Sequence, residues 1–333
     1  MAEDGQRGLH MQKLHMKNKP VKSLNNFNKI DLMKSSSKPL LLGSLAVLSW
    51  STVATAFKVA LNHMSVFEMV FVAVVTALVI FTIWMFVNNG WRQLRNLTPK
   101  LWGAFALLGL ISPVAYYLVL FLAYDYLPAQ IAQPVNYTWP ILLTIMLAFI
   151  HRTPIPLMKY VGMIISFAGV VAISVGGKNL PGGVSVLGIG IAILSAFLWA
   201  LYWIVSDRLK NSINQVGTLF LTFGFGMIYL LIGSCFIPLS HLSTEALLSG
   251  AYIGAFEMGI PFICFGMAIR TTDNPTLINQ ICYLSPFLSL FFISMILGEP
   301  IMPTTYLGLI LIVAGLIFNQ YIADRLTSRK AAV

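Results

Sequence analysis

LPAQIAQPVNYTWPILLTIMLAFIHRTPIPLMKYVGMIISFAGVVA, residues 127–172, aligns without a gap to residues 273–318, DNPTLINQICYLSPFLSLFFISMILGEPIMPTTYLGLILIVAGLIF, at a constant offset of 146. Most of the matched residues have backbone or packing roles and are not interchangeable apolar filler. They include Tyr137/Tyr283, Pro140/Pro286, Pro154/Pro300, Ile155/Ile301, Tyr160/Tyr306, Gly162/Gly308 and Ala168-Gly169/Ala314-Gly315. The pattern indicates an internal duplication.

The composition predicts that this duplicated chain lies in a membrane. Of the 333 residues, 58% are apolar and only 10% are charged, and the mean hydropathy is +0.82. Such values do not describe the surface of a soluble globular protein. The three cysteines, Cys235, Cys264 and Cys282, have no metal-ligand spacing, and the sequence contains no phosphate-binding loop. We therefore predict no metal and no cofactor.

Ten apolar segments have about the 20 residues that a helix needs to cross the hydrocarbon core. The predicted fold class is therefore an all-α integral membrane protein with ten transmembrane helices. The segments lie at about 40–61, 65–87, 101–124, 128–150, 157–175, 184–206, 215–237, 245–269, 275–297 and 303–322. The predicted organisation is a tail (1–38), a first five-helix repeat (39–178), a second five-helix repeat (179–323) and a C-terminal tail (324–333).

The N-terminal arm, residues 1–38, is polar and rich in Lys and Asn, and it lacks helical or strand periodicity. We interpret it as a disordered cytoplasmic tail, with a start-site artefact or a tag-like extension as the alternative.

The distribution of basic residues predicts the orientation of the chain. If loops are assigned to alternate sides, nineteen of the 21 Lys and Arg residues fall on the side of the N-terminus, Lys178 falls on the other side, and Lys58 lies within a helix. This bias predicts an inner (cytoplasmic) membrane protein with both termini cytoplasmic, and it explains the net charge of +10 without a nucleic-acid partner. Since each half has five spans, the second half enters the membrane inverted.

Several short motifs resemble those of the EamA branch of the drug/metabolite transporter superfamily, over about residues 40–322. The Asn-Tyr-x-Trp-Pro motif is similar to that of amino-acid exporters in the superfamily. The second repeat keeps Tyr283 and Pro286 but has Cys282 and Ser285 where the first has Asn136 and Trp139. The motifs are Leu48-Ser49-Trp50-Ser51, Ala196-Phe197-Leu198-Trp199-Ala200, Asn136-Tyr137-Thr138-Trp139-Pro140 and Gly298-Glu299-Pro300.

Prolines and aromatic residues cluster near the predicted middle of the membrane. Pro140 and Pro286 each free a backbone carbonyl, which favours a position beside a cavity, although a simple helix kink is an equal alternative. A ligand pocket of this kind is apolar with a few polar groups, whereas packing between helices is the competing explanation for each aromatic side chain. The predicted substrate-binding residues are Trp50, Asn136, Tyr137, Trp139, Trp199, Tyr202 and Tyr283.

Three ionisable residues fall inside predicted helices, where insertion costs roughly 2.5 to 3.5 kcal/mol. Lys58 and Glu68 lie near the outer ends of the first two helices, so we predict an outer ion pair or separate contact with the interface. Glu257 is the one acidic residue near the midplane and has no basic neighbour in sequence. It is the predicted proton-coupling residue, or a site for a cationic substrate group. The alternative is a protonated carboxyl that serves packing.

These features, taken with the resemblance, predict a non-enzymatic secondary transporter that exports a small organic metabolite, such as an amino acid, by alternating access. The expected partners are the substrate, the lipid bilayer and, for a coupled carrier, protons. A drug or toxic-cation carrier of the same fold is one alternative. A membrane enzyme or a receptor-like protein is another, but the sequence lacks a cluster of acid, base and nucleophile. Substrate identity, the direction of net flux and oligomeric state stay open.

Overall fold

The computed structural model of the chain describes residues 24–152, 154–176, 184–209, 211–240, 242–273 and 275–323. Within these residues ten helices are long and apolar enough to cross a membrane, which confirms the predicted fold class. They are α1 (Leu24–Leu61, with Ser37–Leu61 as its apolar span), α2 (Val66–Val87), α3 (Pro99–Tyr126), α4 (Ala129–His151), α5 (Leu157–Gly176), α6 (Val186–Leu209), α7 (Gln215–Ser234), α8 (Thr244–Thr271), α9 (Leu277–Leu297) and α10 (Pro303–Tyr321).

The first helix is longer than the sequence predicted. It begins at Leu24, so residues 24–38, which we assigned to the polar arm, are helical in the structure. The stretch from 24 to 38 contains neither Gly nor Pro, and the helix continues through Pro39, which removes one backbone hydrogen bond without ending it. The rest of the predicted arm (1–23) and the predicted C-terminal tail (324–333) lie outside the described residues.

Successive helices run in opposite directions because their connections are short, so the helix ends form two sides of the bundle. We call the side from which α1 enters its apolar span the basic side, and the opposite side the far side. Loops and helix ends on the basic side carry most of the described Lys and Arg residues, namely Arg92, Arg95, Lys100, Arg152, Lys159, Arg208 and Arg270.

The two halves meet where α5 crosses α10. Ser166 Oγ donates a hydrogen bond to the backbone oxygen of Ile312 over 3.1 Å, and these two positions are equivalent at the offset of 146. Since equivalent residues contact each other, the axis that relates the halves passes between them. Gly169 packs against Gly308, so closely that a Cβ at Gly169 would lie 2.5 Å from the Gly308 carbonyl oxygen. The halves are thus related as an inverted repeat.

The third helix of each half is distorted at mid-length. Helix α3 contains a π-helical segment at Leu110–Ala115, and α8 contains one at Gly254–Gly259. Each distortion has a proline, which is Pro113 inside the segment of α3 and Pro261 just after the segment of α8. Wide turns of this kind leave backbone carbonyls outside the regular hydrogen-bond ladder and are frequent at functional sites.

Candidate functional site

A cavity of about 770 Å³ lies between the two halves. At the basic side it is lined by His151, Asp207 and Arg208, whose side chains are exposed. At the far end it reaches Phe57 and Tyr124, which are both 2% exposed and whose rings lie 5.0 Å apart. The cavity is therefore open toward the basic side and closed toward the far side.

Most of the residues selected from the sequence lie together in this cavity. Four do not. Tyr202 is buried behind the wall, where its ring stacks on Trp199 at 5.0 Å, Pro286 is buried in α9, and Lys58 and Glu68 are not among the residues that line the cavity. Tyr202 and Trp199 share one side of α6 because three residues make nearly one helical turn, and Trp199 is the one nearer the cavity. The selected residues that line it are Trp50, Asn136, Tyr137, Trp139, Pro140, Trp199, Glu257 and Tyr283.

Glu257 lies in the π-helical segment of α8 and lines the cavity. Its Oε1 accepts a hydrogen bond from the Tyr117 hydroxyl of α3 at 3.2 Å. Its backbone oxygen accepts one from Trp50 Nε1 at 3.2 Å, and the preceding carbonyl, of Phe256, accepts one from Ser49 Oγ at 2.6 Å. Side chains of α1 thus satisfy carbonyls in the wide turn, and they hold the carboxyl-bearing segment against α1.

Asn136 lines the cavity, but its amide already has protein partners. Nδ2 donates to Ser195 Oγ of α6 at 2.8 Å, and Oδ1 lies 3.5 Å from the hydroxyl of Tyr116, which donates to it. The Tyr116 ring in turn stacks on Trp199 at 4.6 Å. Asn136 therefore connects α3, α4 and α6 at the cavity wall, and its role in substrate binding stays a prediction.

Helix α4 is broken at mid-depth, and its two halves have opposite environments. The break lies at Tyr137 and Thr138, after which Pro140 occupies the first turn of the next helical segment. All eight residues of Ala129–Asn136 are buried, whereas none of Trp139–His151 is. The segment of α4 nearer the basic side, Trp139–His151, thus has the cavity on one face and the surface of the bundle on the other.

The equivalent helix α9 shows the reverse pattern along its sequence. Its second segment, Ser285–Leu297, contains five buried residues, whereas in 277–281 only Ile278 is buried. Because the repeats are inverted, both observations describe the same asymmetry. The far-side halves of α4 and α9 are packed, and their basic-side halves are splayed around the cavity.

Sequence reasoning missed several residues of the site. Tyr116 and Tyr117 follow the proline of α3, and Phe262 and Phe265 pack edge-on against Trp50 at 6.0 and 5.4 Å. Gln133 also lines the cavity, one turn before Tyr137. For the four aromatic residues the available signal was their position within four residues of Pro113 or Pro261, the prolines of the third helices.

The predicted outer ion pair has a different arrangement in the structure. Glu68 accepts hydrogen bonds from Ser65, at the start of its own helix, and from Ser240 in the loop before α8, and Lys58 is not among its described partners. The carboxylates that interact electrostatically with Lys58 are Glu299 and Asp125. The capping box at Ser65 explains the difference, because Glu68 is the third residue of the helix and its side chain turns back to the cap.

A buried network on the far side joins the halves. Gln130, which is fully buried at the start of α4, donates from Nε2 to Glu299 Oε2 at 3.3 Å and to the Pro300 carbonyl at 3.1 Å. Its Oε1 accepts from the Met302 backbone N–H at 3.2 Å and from Thr305 Oγ1 at 3.0 Å. We call these residues the far-side latch. Every polar atom of the Gln130 amide is engaged across the halves, which stabilises the closed far end.

A helical membrane bundle built from an inverted repeat around a central cavity is an architecture of secondary transporters. The model of the EamA-like transporter family matches the chain twice, at residues 37–175 and 186–320. The chain therefore belongs to the EamA-like transporter family, and it is a multi-pass membrane protein.

Similar proteins are named as transporters of unspecified substrate. The uncharacterized transporter YvbV of Bacillus subtilis is 24% identical over 218 residues, which cover 65% of this chain and 70% of YvbV. An uncharacterized transporter of Clostridium kluyveri is 27% identical (67% and 74%), and one of Archaeoglobus fulgidus is 24% identical (84% and 96%). A chain of known crystal structure has a similar fold, with a TM-score of 0.61, 20% identity and coverage of 87% of this chain and 99% of that chain.

Proposed function

We propose that the protein is an alternating-access carrier that exports a small organic metabolite, such as an amino acid, in exchange for protons. The observation that carries the proposal is the central cavity, open toward the basic side, with one carboxyl group, Glu257, among aromatic residues of its wall. A volume of about 770 Å³ is sufficient for a metabolite of amino-acid size.

The basic side is the cytoplasmic side in this proposal, because short loops rich in Lys and Arg stay on the cytoplasmic side of an inner membrane. The cavity is then open to the cytoplasm, where a metabolite to be exported would enter. Exposed Arg208 and His151 lie at this entrance.

The different burial of equivalent segments in α4 and α9 supports alternating access. In an inverted repeat, exchanging the conformations of the two halves turns an inward-open molecule into an outward-open one around the same central site. Here the basic-side half of α4, Trp139–His151, has no buried residue, whereas the equivalent segment of α9, Ser285–Leu297, has five. In the proposed outward-open state these two segments exchange environments, with the break at Tyr137 and Thr138 as one hinge.

Glu257 carries the proton in the proposed cycle. A proton that enters from the far side neutralises the carboxyl in the outward-open state, and the change back to the inward-open state then encloses a neutral group at a lower cost than a charged one. In the inward-open state the proton leaves to the cytoplasm, and the Tyr117 hydroxyl stabilises the carboxylate that remains. The carboxylate then receives the ammonium group of the substrate, so one proton enters as one substrate leaves.

The test is flux through the purified protein in liposomes under an imposed pH gradient. We expect saturable, gradient-driven transport of at least one amino acid by the unchanged chain. The Glu257→Gln variant should lose the pH dependence while it keeps normal abundance. The matched control is Glu245→Gln, which alters an exposed carboxylate at the far-side end of the same helix and should transport as the unchanged chain does.

Two results would count against the proposal. If no amino acid or related metabolite shows saturable flux with or without a gradient, the transport function is wrong. If Glu257→Gln transports normally at every pH, then Glu257 has a packing role and the coupling mechanism is wrong.

A carrier for cationic drugs is the second candidate, and the carboxyl group among aromatic rings favours it. Trp50 and Phe265, with ring centroids 5.4 Å apart, are surfaces on which an apolar cation could pack. Competition separates the two candidates. A lipophilic quaternary ammonium compound that blocks amino-acid flux without itself crossing the membrane supports the amino-acid carrier, and gradient-driven flux of that compound supports the drug carrier.

A further inference from the structure

Three side-chain amides lie on one face of the buried half of α4. They are Gln130, Gln133 and Asn136, spaced three residues apart, so each lies nearly one helical turn from the next. This half begins at the closed far end of the bundle and ends at the break beside the cavity. The three amides therefore form a row that leads from the far-side latch to the site.

The outer two amides of the row have hydrogen-bond partners at both the oxygen and the nitrogen, whereas the oxygen of the middle amide has none among the described residues. Gln130 makes four hydrogen bonds in the far-side latch, and Asn136 has Ser195 and Tyr116 as partners. Gln133 is only 5% exposed, yet its Oε1 is enclosed without a hydrogen-bond partner among the described residues. Its side chain lines the cavity.

A buried amide oxygen without a hydrogen-bond donor destabilises the folded chain, because its hydrogen bonds to water are lost and not replaced. Leu or Met at this position would fill the space without that penalty. The location of Gln133 suggests what its missing partner is. The amide borders a cavity in which the proposed substrate binds, so a bound molecule is the group positioned to complete its hydrogen bonds.

The second repeat places the same chemical group at the equivalent position. Asn279 lies at the offset of 146 from Gln133, and it also lines the cavity, at the basic side. Gln133 is buried whereas Asn279 is exposed. If the halves exchange conformations, the two carboxamides exchange environments, and each state has one carboxamide at the closed end of the cavity.

An amide is suited to a ligand that carries a donor and an acceptor side by side. Its oxygen accepts from one group while its N–H donates to another, as in bidentate amide contacts generally. The α-ammonium and carboxylate groups of an amino acid form such a pair. The Glu257 carboxylate supplies a further acceptor for the ammonium group, whereas the N–H of Gln133 is a donor suited to the carboxylate.

We propose that Gln133 is the residue that recognises the amino-acid head group, and that it selects an α-amino acid over the corresponding amine without a carboxylate. This inference rests on the proposed function, because it names the substrate class of the same cavity. The side chain of the amino acid would pack on the aromatic wall formed by Trp50 and Trp199.

Binding and flux test the inference separately. Binding of L-phenylalanine and phenethylamine to the purified full chain would be measured by calorimetry, together with leucine against isoamylamine and lysine against cadaverine. The unchanged chain should bind at least one amino acid about tenfold or more tightly than its amine. Gln133→Met, which keeps the volume and removes both hydrogen-bonding groups, should reduce that preference to about onefold by weakening the amino acid alone.

A second variant and a control keep the result interpretable if Gln133→Met folds poorly. Gln133→Glu keeps an acceptor but replaces the N–H donor with a carboxylate oxygen, so it should reverse the preference toward the amine. Gln280→Met makes the same amide-to-thioether change on α9, at a position that does not line the cavity, and should leave the preference unchanged.

The inference is overturned if both Gln133 variants keep the preference of the unchanged chain, or if the unchanged chain binds none of the amino acids more tightly than its amine. The proposed function fails in a different way. If binding depends on Gln133 as described but no bound compound shows flux in liposomes, then the recognition site stands and the transport cycle is wrong.

Discussion

Tyr117 of α3 donates a hydrogen bond to Oε1 of Glu257 on α8 over 3.2 Å, so the third helices of the two repeats are joined at the carboxyl group of the cavity. The repeat has no second hydrogen bond of this type, because the positions equivalent to Tyr117 and Glu257 are Ile263 and Ile111. One half thus supplies the carboxyl group and the other supplies its hydroxyl partner.

Removing this hydroxyl should change the pH dependence of transport. The Tyr117 O–H donates to the carboxylate, and a hydrogen bond to a charged group favours the charged form. In Tyr117→Phe the protonated form of Glu257 therefore persists to higher pH, and the pH of half-maximal flux should rise by about one unit. Flux in liposomes across a pH series measures the shift. A profile that stays in place would mean that the hydroxyl does not act on a titrating Glu257.

The crossing of α5 and α10 should tolerate no added methyl group. In Gly169→Ala the new Cβ would lie 2.5 Å from the Gly308 carbonyl oxygen, so the helices must separate and lose packing, at about 1 to 3 kcal/mol. Gly190→Ala in α6 is the control, because a Cβ there has no neighbour within 4 Å. Thermal unfolding in detergent should show a lower midpoint for the first variant only. Equal midpoints would contradict the close packing of the two repeats.

Weakening the far-side latch should favour opening at the far side. Gln130→Leu removes four hydrogen bonds and leaves the Glu299 carboxylate with fewer donors, so the closed arrangement loses about 1 kcal/mol or more. A cysteine placed at Phe57, which is 2% exposed, should then react severalfold faster with an impermeant maleimide added from the far side. The native cysteines would be replaced beforehand.

The control for the latch experiment is Gln93→Leu, which removes an amide that accepts from the Asn214 backbone N–H at the basic side. It should not raise the labelling rate from the far side. Equal rates in Gln130→Leu and the unchanged chain would show that the network does not determine closure.

Asn136 should behave as a residue that stabilises the fold. Its Nδ2 donates to Ser195 Oγ at 2.8 Å between buried groups, so Asn136→Ala should lower stability by about 1 to 3 kcal/mol. Because the two residues share this bond, the effects of Asn136→Ala and Ser195→Ala on unfolding should be less than additive in the double variant. Additive effects would indicate that the pair is not coupled, and a large change in substrate preference without loss of stability would restore the direct binding role.

Local sequence patterns were sufficient for the scaffold. Apolar segments of membrane length predicted ten helices, and the matched glycines at 162 and 308 and at 169 and 315 were assigned backbone or packing roles. These features follow from chain length, periodicity and the small size of glycine, which act on residues near one another in sequence. For Glu68 the same reasoning left open an ion pair with Lys58 or separate contact with the interface, and it did not consider the serine cap three residues away.

The site was only partly accessible to such reasoning. Trp50, Tyr137 and Glu257 were selected because they lie near mid-depth, and they line one cavity. Tyr117 and Gln133 were not selected, because their roles depend on which helix face meets which neighbour across more than 100 residues of chain. The distinction between Gln133 and Asn136, two amides one turn apart, depends on whether α3 and α6 bring a hydrogen-bond partner within reach.

By itself the sequence determined that this chain is a duplicated bundle of ten membrane helices, because the bilayer requires apolar segments of fixed length whose backbone bonds are made within each helix. The tertiary structure alone decided that equivalent positions Ser166 and Ile312 meet on the axis between the halves, that Glu257 faces Tyr117, and that the cavity is open on one side. Two repeats with the same sequence pattern can pack differently. Only contacts between segments that are distant in sequence determine which side of the cavity is closed.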